Sequence, residues 1–144
     1  MNVSARNVFK GKIPALTEGL GNVEVAVDLS GGDTLVAIAT VEGLHRLGLQ
    51  PGCEVMAWVK VPWIILIRGG QPGAPGFSAR NRLTGTVRQL IRGTLNSEVT
   101  PSLAGGSLLH AVVTDEAVRD MGLQPGFSAT AMIKASDVIL GMRG

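Results

Sequence analysis

The chain has 144 residues, 45% of them hydrophobic, which is enough apolar material for one ordinary domain or two small ones. Its 13 Lys and Arg against 11 Asp and Glu argue against gripping a nucleic-acid backbone, and no basic amphipathic helix points to a membrane surface. One cysteine, Cys53, excludes an intrachain disulfide framework and a cysteine-rich metal site.

Met1 to Arg6 has no long apolar stretch after its charge, so no signal peptide is expected. Ser4 to Ile13 reads as a first strand. Asn22 to Leu29 alternates, with Val23, Val25, Val27 and Leu29 on one face and Glu24 and Asp28 on the other, as a half-buried strand does. Gly31-Gly32-Asp33 supplies hairpin chemistry, and Leu35 to Thr40 is the returning strand. Thr40 is placed to cap a short helix through Leu47 that stops at Gly48. Leu49-Gln50-Pro51-Gly52 is a turn. Glu54 to Val61 and Trp63 to Arg68 are two closing strands. The longest apolar run, Val61 to Ile67, is too short to cross a bilayer, and a cytoplasmic protein is expected.

The pattern then starts again. Ser4-Ala5-Arg6-Asn7 recurs as Ser78-Ala79-Arg80-Asn81, and Leu49-Gln50-Pro51-Gly52 as Leu123-Gln124-Pro125-Gly126. At the same offset Gly11 meets Gly85, Gly19 meets Gly93, Asn22 meets Asn96, Thr40 meets Thr114 and Lys60 meets Lys134. About four positions in ten agree with no gap, which marks a duplicated unit. Two domains follow, residues 1–69 and 77–144, joined by a Gly/Pro linker over 70–76. Each runs strand, strand, strand, short helix, strand, strand. The fold expected is all-β with one short helix per unit, as two tandem OB-like five-stranded barrels. Scarce aromatics (three Phe, two Trp, no Tyr) suggest that the halves bury apolar surface against each other or against other chains.

Ser4 and Arg6 are two apart on a strand and share a face, as do Ser78 and Arg80. A hydroxyl beside a guanidinium makes an anion-binding pair, or simply a solvated strand start carried along by duplication. Lys60 and Lys134 each end an apolar strand, where a lysine either snorkels or sets a positive charge at a rim. Thr40 and Thr114 are read as helix caps, beside backbone N–H groups that could hold an anion. Gly19, Asn22, Gly93 and Asn96 belong to loops before a strand, read first as turns and second as further oxyanion-binding positions with an amide donor available. His45 and His110 do not correspond across the repeat, so no shared catalytic pair arises.

These segments, together with Lys134-Ala135-Ser136-Asp137-Val138, make each half resemble a Mop domain, and the tandem resembles the di-Mop molbindins. The resemblance implies molybdate binding, with tungstate often accepted, at interfaces between domains for intracellular molybdenum storage. It implies assembly as a homotrimer. The residues themselves leave no enzymatic activity expected, since no nucleophile or acid–base pair recurs, and no metal cation, nucleic-acid or membrane partner. The positions the resemblance carries over are Ser4, Arg6, Ser78 and Arg80, then Thr40 and Thr114, then Lys60-Val61-Pro62 and Lys134-Ala135-Ser136. Where the second copy has Ser136 the first has Pro62, so a backbone contact must replace a hydroxyl there. The rival class is a single-stranded nucleic-acid binder on the OB fold, which usually reads bases on aromatic platforms that these strands lack.

The chemistry of the residues agrees with this ligand. Molybdate is a tetrahedral dianion whose four oxygens only accept hydrogen bonds, so a selective site offers donors alone. Phosphate is protonated part of the time and profits from an acceptor. Tungstate, nearly the size of molybdate, would fit the same donors. The matched acids Glu24/Glu98 and Glu42/Glu116 are therefore expected to point away from the site.

Overall fold

The computed structural model describes residues 7–69 and 79–142. The first copy contains β1 (Asn7–Lys12), β2 (Leu16–Glu18), β3 (Asn22–Leu29), β4 (Thr34–Thr40), α1 (Val41–Leu47), β5 (Glu54–Val59) and β6 (Ile65–Arg68). The second contains β7 (Asn81–Ile91), β8 (Asn96–Leu103), β9 (Ala111–Thr114), α2 (Asp115–Met121), β10 (Ser128–Ile133) and β11 (Ile139–Gly141). The expected linker, 70–76, lies outside the described residues.

Alternation forms these strands. In β1, Asn7, Phe9 and Gly11 are buried while Val8, Lys10 and Lys12 face out. Gly11 has a steric purpose, since a Cβ there would meet the Asp28 carbonyl oxygen of β3; one at Gly85 would meet that of Ser102. Only glycine lets the first and second strands of each copy approach this closely.

The first strand does not stop at Ile13. Pro14, which has no N–H to give the ladder, interrupts it, and β2 resumes along the same edge of β3. In the second copy β7 runs unbroken across the equivalent stretch, with an irregularity between Val87 and Gln89. The first-strand position is thus filled in both sheets, by β1 with β2 in one and by β7 in the other.

The helices follow expectation. Thr40 caps α1 by accepting from Gly43 N at 2.9 Å, and Gly48 closes it in the left-handed region at φ 65°. Thr114 and Gly122 do the same for α2. The expected strand Glu54 to Val61 ends two residues early, at Val59. A 3-10 turn over Val61–Trp63 follows, with Pro62 in its first positions, and the last strand begins at Ile65 rather than Trp63. Ala135–Asp137 forms the matching turn.

Those turns redirect the chain. One sheet pairs β11 with β5, then β1 (continued by β2), β3 and β4; the other runs β6-β10-β7-β8-β9. The last strand of each sequence unit thus belongs to the other unit's sheet, Leu66 facing Ala131 and Leu140 facing Ala57. In each sheet the two end strands come near one another, β6 to β9 and β11 to β4, so the sheet curls into a half-barrel. Buried aliphatic side chains of both sheets, among them Val25, Leu35, Val55, Val99, Leu109 and Ile133, form one continuous core. The halves share apolar surface instead of each relying on aromatic bulk.

Polar contacts finish the seam. Asn81 accepts from Val36 N at 2.7 Å and donates to Val36 O at 2.8 Å. Its counterpart Asn7 treats His110 identically, at 2.7 and 2.8 Å. At the hairpin tips Gly31 lies against Gly105, whose N–H donates to Asp33 Oδ2 at 2.9 Å.

Candidate oxyanion site

Strand exchange decides which candidate residues can meet. The β7–β10 register ends with Asn81 opposite Ile133, so the next step brings Arg80 opposite Lys134. Asn81 fastens this end of β7 to Val36 in β4, and the turn Ala135–Asp137 packs against β4 as well. Arg80 and Lys134-Ala135-Ser136, from the second copy, therefore converge on the first copy's strand that ends at Thr40. Arg80, Lys134, Ser136 and Thr40 are all exposed, while Ala135 is buried and anchors its turn.

The first copy's turn Val61–Trp63, which Lys60 precedes, packs in the same way against β9, the strand that ends at Thr114. Ser4, Arg6 and Ser78 lie outside the described residues. The two lysines have different surroundings. The Lys60 ammonium sits 5.3 Å from the centre of the Trp63 ring, a cation–π contact. Asp137 stands at the corresponding position beside Lys134.

One expectation fails. Glu24 does not point away from the candidate residues: its Oε1 accepts from Arg80 Nε at 3.0 Å and Nη2 at 2.8 Å. The physical reason is the register, which pairs Glu24 with Ile38 of β4, the strand onto which Arg80 is drawn. That register places the Glu24 carboxylate within reach of the guanidinium. Both partners are well exposed and a single carboxylate oxygen is used, so water screens this pair and it is readily exchanged. Glu42 instead pairs with Arg46 on the surface of α1.

The loop candidates behave chiefly as turns. Gly19 N donates to Asn22 O at 2.7 Å, and Asn22 stands opposite Thr40 in the β3–β4 ladder. In the second copy Gly93 N donates to Ser97 Oγ at 3.4 Å, and Asp115 N donates to Leu95 O at 2.8 Å. Next to this loop lies a polar cluster that the sequence did not single out. Asp115 accepts from Arg92 Nε at 2.8 Å and Nη2 at 2.9 Å, and from Ser97 Oγ at 3.0 Å; Arg119 Nε is 3.5 Å away. The Arg92 hydrogen bonds, opposed by desolvation and helped by Ser97, hold the Asp115 carboxyl below its usual range. The same bonds raise the Arg92 guanidinium.

Sequence reasoning also gave no role to Asn7 and Asn81, although both stand in the repeated Ser-Ala-Arg-Asn. Their signal was the alternation itself, because Asn7 falls on the buried face with Phe9. A polar residue there needs a partner, and the partner is the other half.

A surface hollow of about 490 Å³ along the outer face of β1 is lined by Lys10 and Lys12 but also by Asp28 and Glu54, a mixed set ill suited to a dianion. Among the described residues no cluster of His, Cys, Asp and Glu could hold a metal ion, and no helix is long and apolar enough to cross a membrane.

Comparison with known proteins adds the family. The TOBE-domain profile matches residues 3–66 and again 78–140. A crystal structure of the cytoplasmic molybdate-binding protein ModG with molybdate bound is 50% identical, covers 99% of this chain and 100% of its own, and superposes with a TM-score of 0.91. The molybdenum-pterin-binding protein MopA of Rhodobacter capsulatus is 39% identical over 142 residues, and the molybdenum transport protein ModE of Azotobacter vinelandii 36% over 144. The chain spans about half the length of these two relatives, 53% and 52%. With two matched copies on two strand-exchanged half-barrels, the chain belongs to the TOBE-domain family as a tandem member.

Proposed function

We propose that this chain binds molybdate, and tungstate on the same donors, as a non-enzymatic intracellular store of oxyanion. The observation that carries the reading is the convergence of Arg80 and Lys134-Ala135-Ser136 on the first copy's strand β4. One guanidinium and one ammonium roughly neutralise a dianion, and the Ser136 hydroxyl adds a donor. Ser78 and Thr40 complete the proposed set, with Ser4, Arg6, Lys60, Val61, Pro62 and Thr114 forming its counterpart. On binding, the dianion takes the Arg80 fork and Glu24 turns to solvent. The 50% identity to a molybdate-bound cytoplasmic protein supports the ligand and the compartment.

Exposed apolar side chains on the closing strands, Ile65 at 57% and Ile139 at 48%, support assembly of further copies, which we take to be a homotrimer. Sites built across seams couple assembly to ligand.

Native mass spectrometry with and without molybdate tests the proposal, because it reports oligomer and bound ions together. The double variant Arg6→Ala, Arg80→Ala is expected to lose most uptake while the oligomer survives. Undiminished uptake in that variant would overturn the assignment of these residues. Retention of single-stranded RNA or DNA on a filter, with no molybdate uptake, would favour the nucleic-acid reading.

A further inference from the structure

We infer that Asp115 is a resident anion, which fills the donor cluster of Arg92, Ser97 and Arg119 and thereby keeps that cluster from taking an oxyanion. The inference rests on the proposed function for the ligand. It concerns which donor sets stay open to that ligand.

The cluster has the composition that an oxyanion would choose. Arg92 presents two parallel N–H groups to two oxygens, at 2.8 and 2.9 Å. Ser97, only 1% exposed, adds a hydroxyl hydrogen at 3.0 Å, and a second guanidinium, that of Arg119, stands 3.5 Å from the same carboxylate. All these groups donate, and the edge of a carboxylate mimics the edge of a tetrahedral oxyanion for an arginine fork. The occupant is part of the chain, with a side chain only 16% exposed, and it remains charged because its pKa is held down.

The pair at the proposed site is the useful contrast. Glu24 gives Arg80 one oxygen from an exposed position, with side chains 40% and 59% accessible. Asp115 gives both oxygens from a sheltered one. An exogenous dianion can displace the first and is excluded by the second.

Duplication shows that the cluster is peculiar to one copy. The positions equivalent to Arg92, Ser97, Asp115 and Arg119 are Glu18, Val23, Val41 and His45. The first copy's loop therefore has neither the fork nor the hydroxyl, and it carries a carboxylate. The first copy has no such cluster, and the second has committed its own internally.

Isothermal titration and native mass spectrometry with molybdate, and separately with sulfate, test this on the full chain. The unaltered protein and Arg92→Ala should bind the same number of ions. Asp115→Ala should gain one per chain, and Asp115→Ala with Arg92→Ala should lose that gain. An Asp115→Ala protein with unchanged circular dichroism and no added ion would overturn the inference, as would loss of an ion in Arg92→Ala. Should Asp115→Ala fail to fold, the Arg92→Ala count decides. If the unaltered protein takes no molybdate, the proposed function fails, yet a gained sulfate in Asp115→Ala would still support the resident anion.

Discussion

Replacing Asn81 with alanine removes the clamp that joins the second copy's first strand to β4. Among the described residues β4 pairs only with β3, and the N–H and C=O of Val36 that face away from β3 bond to the Asn81 amide. Both groups are buried, with Asn81 3% and Val36 9% exposed. A buried backbone group left without a partner costs about 1–3 kcal/mol. Two such groups put the loss at about 2–4 kcal/mol once water entering the gap is allowed for. With a urea dependence of about 1–3 kcal/mol per molar, the unfolding midpoint should fall by about 1–2 M. Far-ultraviolet circular dichroism against urea is the assay. Asn7→Ala should cost less, because its bonds to His110 are only partly buried. A midpoint for Asn81→Ala within about 0.3 M of the unaltered protein would refute the reasoning, since the amide would then be replaceable by solvent.

Two further outcomes are expected. Gly31 and Gly32 both have φ near 100°, but only at Gly31 would a Cβ strike backbone, that of Gly105. Gly32→Ala should therefore show only the conformational penalty of about 1 kcal/mol, and Gly31→Ala clearly more, measured as melting temperatures of the two variants side by side. Asp115 has a folded pKa below its unfolded value of about 4, so its contribution to stability is complete above that value and is lost as pH falls through the lower folded pKa. Asp115→Asn should melt below the unaltered protein near neutrality and converge with it under acid; a constant difference across that range would count against the charge as the cause.

Periodicity and capping made much of the local structure legible. The alternation of Val23, Val25, Val27 and Leu29, the threonine caps and the glycine stops all act within a few residues, and each is where the sequence places it. The break at Pro14 was legible in principle, because proline without an N–H cannot continue a ladder. The repeat itself foretold two similar sheets, and the matched Gly11 and Gly85 are explained by one close strand approach. The part of the candidate site that was readable is its chemistry, Ser, Arg, Lys and backbone donors. Its assembly was not readable, and neither was the pairing of Arg80 with Glu24.

Local chemistry along the chain sets the elements, the duplication and the donor character of the recurring residues. Tertiary structure decided which copy each closing strand joins, and hence that the Ala135–Asp137 turn and the Asn81 end of β7 meet the other copy's β4. The reason is physical: duplication gives β5 and β10 similar edges, so the local pattern of a closing strand suits either. Only the 3-10 turns and the shared core select the exchange. The same selection brings Asn7 and Asn81 to the backbone groups of His110 and Val36 across the seam, a pairing that exists only once the two halves are packed together.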